Sequence, residues 1–96
     1  MDMTFAHKIR ELRNKRGWSV YDLAKEIDTT PGYISKIEAR GEIPSPEMIV
    51  KLAEALGTIA EELAEIAKAE KSAEIVKNVT KKYDDAVVLY RKSRKK

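Results

Sequence analysis

Two short amphipathic patterns separated by two residues dominate the chain. From Ser19 to Glu38 it reads SVYDLAKEIDTTPGYISKIE. Val20, Leu23, Ala24 and Ile27 recur at the spacing of a helix with one buried side. Ser19 with Asp22 three residues later predicts a capping box at its start, in which hydroxyl and carboxylate satisfy backbone N–H groups that the helix leaves orphaned. Ile34 and Ile37 supply the buried stripe of a second helix. It is expected to begin with Thr30 as N-cap and Pro31 at the first helical position, where a missing N–H costs nothing. Only Asp28 and Thr29 lie between the two helices, so the chain must turn sharply, and Asp28 tolerates the left-handed conformation such a turn needs. Two helices crossing at a short turn form a DNA-docking geometry.

The flanking patterns extend the helical reading. Thr4 can cap a first helix with Phe5, Ile9 and Leu12 on one face, and Gly17 offers the positive φ that ends it. Ser45 and Pro46 open a fourth helix with Ile49, Leu52, Ala53 and Leu56 buried and Gly57 as its stop. Thr58 with Glu61 is expected to cap a fifth, burying Ile59, Leu63 and Ile66. From Thr58 to Lys96 there is neither Gly nor Pro, so nothing in the backbone chemistry ends that helix near Ala67. Ser72 could cap a new helix, or the chain could continue straight. Either way Ala69, Ala73, Val76, Thr80, Tyr83, Val87 and Tyr90 alternate by three and four residues, with Val79 and Ala86 alongside, in a stripe that wants a partner. Packing back on its own domain is one outcome. Self-association accounts for the stripe better, because the five-helix core is complete without it. The end, RKSRKK, is expected to be a disordered cationic tip.

Composition narrows the function classes. A chain of 96 residues makes one domain with an appendage, divided here into residues 1–67 and 68–96, and buries only about 60 to 65% of its unfolded surface. No cysteine is present, so neither a disulfide framework nor a thiolate metal site is available. The start, MDMTFAHKIR, has charges where a signal peptide would need an apolar run, and no stretch approaches membrane-spanning length. A cytoplasmic location without membrane contact is expected. The net charge of +3 hides an asymmetry: residues 1–67 hold nine Lys/Arg against twelve Asp/Glu, residues 68–96 ten against four. Residues 1–41 are mildly basic, with eight against six, while 42–67 are acidic, with one against six. His7 has no second ligand at metal spacing, and no cofactor is implied. No nucleophile with an adjacent base and no paired carboxylates suggest an enzyme.

The run KIRELRNKRGWSVYDLAKEIDTTPGYISKIEARGEIPSPEMIVKLAEALG resembles the phage-repressor type of helix-turn-helix domain, the lambda repressor and Cro-like superfamily also called the XRE family. KIRELR before a Gly, S-x-x-x-L-A in the second helix, YISKIE in the third and PS-x-x-x-x-x-K-L-A-x-A-L-G in the fourth carry the likeness, over roughly residues 5 to 67. It implies an all-α fold: a five-helix repressor-like bundle, here with an additional C-terminal helix, and with the third helix in the DNA major groove. It also implies an ion pair between Arg13 and Glu38 joining the first and third helices. Trp18 stands where the family usually has a core Leu, and packing into the core explains it better than stacking on bases.

By the same resemblance, Ser19 and Tyr21 fall near the phosphate-facing start of the second helix. Thr30, Pro31, Gly32, Tyr33, Ser35, Lys36 and Arg40 are exposed or half-exposed on the third, where the bland alternative for each is a solvated surface residue. Lys36 is best placed to read the O6 and N7 of a guanine, and Arg40 could do the same or bind phosphate. The sequence departs from the family at four points. Val20 replaces a frequent Gln, Pro31 and Gly32 occupy two base-reading positions without polar side chains, Glu42 stands in a loop that is often basic, and Arg40 precedes Gly41 where the family has Gly one residue earlier. Either the third helix runs one residue longer, or Arg40 takes a left-handed cap. The expectation is a homodimeric regulator of double-stranded DNA held together by residues 68–96. The alternative is a helix-turn-helix module for a protein partner, as in antitoxins and bridging coactivators.

Overall fold

The computed structural model describes the backbone of residues 4–94 and side chains through Val88. Among the described residues it is all-helical, with five helices: α1 Phe5–Lys15, α2 Val20–Glu26, α3 Pro31–Arg40, α4 Pro46–Leu56 and α5 Ala60–Arg94. α3 packs on α1 and α2, while α5 packs on α4 and touches α1. Phe5, Ile9, Leu23, Ile34, Ile37, Leu52 and Leu63 meet at the centre with almost no exposure. Leu12, Trp18, Val20 and Ile66 close the core's edges half-buried.

The starts of the first four helices follow the sequence. The hydroxyls of Thr4, Ser19, Thr30 and Ser45 each accept from the backbone N–H three residues on, satisfying a donor that the first turn leaves free. Asp28 is left-handed, with φ 55°, and its short side chain tolerates that turn between α2 and α3. α3 takes the longer of the two expected courses: Arg40 is helical and Gly41 provides the left-handed cap at φ 71°, where a β-carbon would be strained.

The fifth helix departs from expectation at its start. Thr58 does not form a capping box with Glu61; its hydroxyl donates to the Glu62 carboxylate at 3.3 Å. Helical bonding instead begins from the Ile59 carbonyl, which accepts from the Glu62 and Leu63 N–H groups. Ile59 therefore stands just outside the helix and is 69% exposed rather than buried. The buried stripe shifts along the chain to Leu63 and Ala67, with Ala60 and Ile66 half-buried.

α5 then runs without a break through position 72 to Arg94. Of the two expected courses the straight one is realised, and the extension is a continuation of α5 rather than a separately capped helix. It does not fold back on its own domain; the molecule extends 65 Å by 25 Å by 24 Å. The stripe expected on residues 69–90 is exposed along its described length. The side chains of Tyr90 and of RKSRKK lie outside the described residues, although the backbone is helical through Arg94 rather than disordered from Arg91. No described helix is long and apolar enough to cross a membrane.

Candidate nucleic-acid interface

α3, the second helix of the helix-turn-helix pair, is held from behind by one buried carboxylate. Glu38, on the inner face of α3, has a side chain only 3% exposed, and an isolated charge there would be costly. Arg13 of α1 meets it with two parallel bonds, Nε to Oε2 and Nη2 to Oε1, both 2.9 Å. Bonding to Glu38 raises the Arg13 pKa above its ordinary value, against the opposing effect of burial. The remaining Arg13 nitrogen, Nη1, donates to the Trp18 carbonyl at 2.8 Å, so one guanidinium ties α1, the α1–α2 loop and α3 together. Arg10 adds bonds to Glu38 Oε1 at 3.3 Å and to the Glu38 carbonyl at 3.2 Å. The sequence reading missed Arg10; its signal was the spacing of three from Arg13, which puts both on one helix face.

With Ile34, Ile37 and Glu38 turned inward, the opposite face of α3 presents Gly32, Ser35, Lys36, Ala39 and Arg40, all exposed. At 100° per residue Gly32 and Ala39 fall at the middle of this face. Ser35 and Lys36 flank them and Arg40 lies at one rim. The middle is thus nearly without relief, and a backbone can come close to whatever it faces. Ala39 belongs to this surface and was not among the expected contacts, since an Ala carries no hydrogen-bonding signal.

The other expected residues are less alike than a single surface implies. Thr30 is exposed and Pro31 half-buried, with the Thr30 hydroxyl committed to the Tyr33 N–H at 3.2 Å. Tyr33 is half-buried, and burial first, then the charge of Glu42, raises its phenol pKa. It lines a hollow of about 220 Å³ with Lys36, Glu42 and Ser45, so a carboxylate borders the basic side of α3. Tyr21 is 73% exposed on α2. Ser19 is occupied by its capping box: its N–H donates to the Asp22 carboxylate at 2.8 Å, and its hydroxyl accepts from the Asp22 N–H at 3.1 Å. Those bonds hold the Asp22 pKa below the usual carboxylate value. The start of α2 therefore already carries a negative charge where a phosphate would approach.

Trp18 is half-buried against the core, with the Arg16 guanidinium 5.1 Å from its ring centroid. That cation covers the ring face in place of a base. His7 is exposed.

The fold around this surface matches a known family and solved structures. A helix-turn-helix family model matches residues 9–63, from the middle of α1 to the first turn of α5. The hypothetical transcription factor NHTF from Neisseria is 32% identical, over 62% of this chain and 66% of its own, with a TM-score of 0.58. This chain thus spans slightly less than two thirds of that protein. SinR, a master regulator for biofilm formation solved in complex with DNA, is 24% identical over 64% of this chain and 98% of its own, with a TM-score of 0.59. The complex of SinR with SinI gives 22% identity over 96% of this chain and 98% of that one, with a TM-score of 0.60. At these identities the two SinR structures establish likeness of fold. No curated protein sequence matches the chain. With more than half of its residues in the family match and all five helices in place, the chain belongs to the helix-turn-helix family of the lambda repressor and XRE type.

Proposed function

We propose that this protein is a sequence-specific transcriptional regulator, repressor-like and cytoplasmic, that lays α3 in the major groove of double-stranded DNA. The observation that carries this reading is the exposed face of α3: a flat centre at Gly32 and Ala39, edged by Ser35, Lys36 and Arg40 and braced from behind by Glu38. Lys36 reads a guanine edge, Arg40 contacts a base or phosphate, and Ser35 adds a hydroxyl. Thr30, Pro31, Gly32 and Tyr33 set the entry of α3, while Tyr21 and Ser19 lie toward the backbone at α2. Residues 1–67 form the DNA-binding domain. Residues 68–96 hold two copies together, since one such domain reads only a few base pairs and two recognition helices are needed about 34 Å apart.

Readers are few, so DNA shape and water-mediated contacts carry part of the specificity. A gel shift of the full chain with random-sequence duplex at two salt concentrations tests the reading. Binding that weakens steeply as salt rises supports it, because phosphate contacts release counterions. No binding at low salt overturns it in favour of a protein partner, a reading supported by the exposed α5 and by SinR having a complex with SinI as well as one with DNA.

A further inference from the structure

Beyond position 67, α5 presents an apolar stripe that its own chain does not cover. Ala69, Ala73 and Thr80 are exposed, and Val76, Tyr83 and Val87 are exposed to 63%, 71% and 47%. Ala67 anchors the helix in the core. Val76, nine residues on at 100° each, lies half a turn away from it, so the stripe faces away from the domain. Its spacing is that of a heptad pattern, with Ala73, Thr80 and Val87 at one core position and Ala69, Val76 and Tyr83 at the other.

We propose that α5 pairs with α5 of a second copy in antiparallel orientation, centred near Asn78, so that Ala69 faces Val87, Ala73 faces Tyr83 and Val76 faces Thr80. This rests on the homodimer proposed above and adds its direction. Side-chain size favours it first. Each small residue meets a larger one, which evens the volume of successive layers toward interior density. A parallel pair in register would set Ala69 and Ala73 against their own copies, opening voids, and crowd Tyr83 against Tyr83.

Charge favours the same direction. Residues 60–76 carry five acidic and two basic side chains, and residues 77–96 eight basic and two acidic. Antiparallel pairing lays the acidic half of each helix along the basic half of the other, whereas parallel pairing lays like on like. The spacing also suits the proposed function. With the centre at Asn78 and a rise of 1.5 Å per residue, the two copies of Ala67 stand about 33 Å apart along the rod, close to one turn of DNA.

The chain has no cysteine, so disulfide trapping of full-length single-cysteine variants decides the direction. Ala73→Cys mixed with Tyr83→Cys, and separately Val76→Cys mixed with Thr80→Cys, should give cross-linked dimers on mild oxidation, because facing core positions lie within disulfide reach. Ala73→Cys alone should cross-link several-fold less than its mixture with Tyr83→Cys. The second pair changes little volume and guards against a variant that fails to fold. Faster cross-linking of Ala73→Cys alone, or failure of both mixtures in a chain that sediments as a dimer, overturns the antiparallel direction while leaving the homodimer standing. A wild-type chain that sediments as a monomer overturns the homodimer and the direction together.

Discussion

Arg13 and Glu38 are joined by two parallel bonds of 2.9 Å across the gap between α1 and α3. The pair fixes the rotation of α3 about its own axis, because Glu38 cannot leave the interior without abandoning both its partners and its burial. Whatever α3 presents outward follows from that anchoring.

Glu38→Ala should therefore destabilise the protein by about 3 kcal/mol, since it leaves the Arg13 charge buried without its partner. Lys8→Ala removes the 3.7 Å bridge to the half-exposed Glu62 and should cost less than about 1 kcal/mol. Urea unfolding of both variants checks the contrast, and equal losses would remove the special standing of Glu38.

Ile34→Ala should cost about 2 to 5 kcal/mol, because a fully buried site in a small core closes poorly over a cavity. Ile59→Ala, at a position 69% exposed, should shift stability by less than about 0.5 kcal/mol. Thermal melts of the two variants test where the phase of α5 begins.

Most of the fold was legible in the sequence because its signals are local. Caps at Thr4, Ser19, Thr30 and Ser45, the turn at Asp28 and the apolar spacing in the first four helices all act within one or two turns. Ile59 was misplaced because Thr58 and Glu61 have the spacing of a capping box, whereas the structure pairs Thr58 with Glu62 and starts the helix one residue later. Whether α5 stopped or continued was open, since neither Gly nor Pro marks an end and Ser72 is compatible with a helix interior. On α3, the exposure of Ser35, Lys36 and Arg40 was legible from their helical phase, but the bonds of Arg10 and the place of Ala39 on that face were not. Arg10 acts only through a contact with a residue distant in sequence, and Ala39 contributes by being small.

Tyr33 should titrate at higher pH in the folded protein than in the unfolded chain, as followed by ultraviolet pH titration. Its folded pKa is raised above the ordinary value of 10.0 by burial and by Glu42, so the unfolded chain loses that proton first. The stability linked to Tyr33 is then fully present below pH 10 and lost as pH rises through the folded pKa. Tyr33→Phe should flatten the alkaline limb of the stability profile, and an unchanged limb would contradict the assignment.

Lys36→Ala should lower specific DNA affinity by about 1 to 3 kcal/mol and relax preference at one base position, the size of a bidentate base contact. Competition binding against single-base variants of a selected site measures this. An equal loss on every sequence would make Lys36 a phosphate contact instead.

Selection of duplexes bound by the full-length protein from a random library, followed by sequencing, tests the proposed roles of α3 and of α5 pairing together. Enrichment of a two-fold symmetric site with half-site centres about 10 base pairs apart is the predicted result. A single asymmetric half-site, or no enrichment at all, would contradict the account of a dimeric DNA reader.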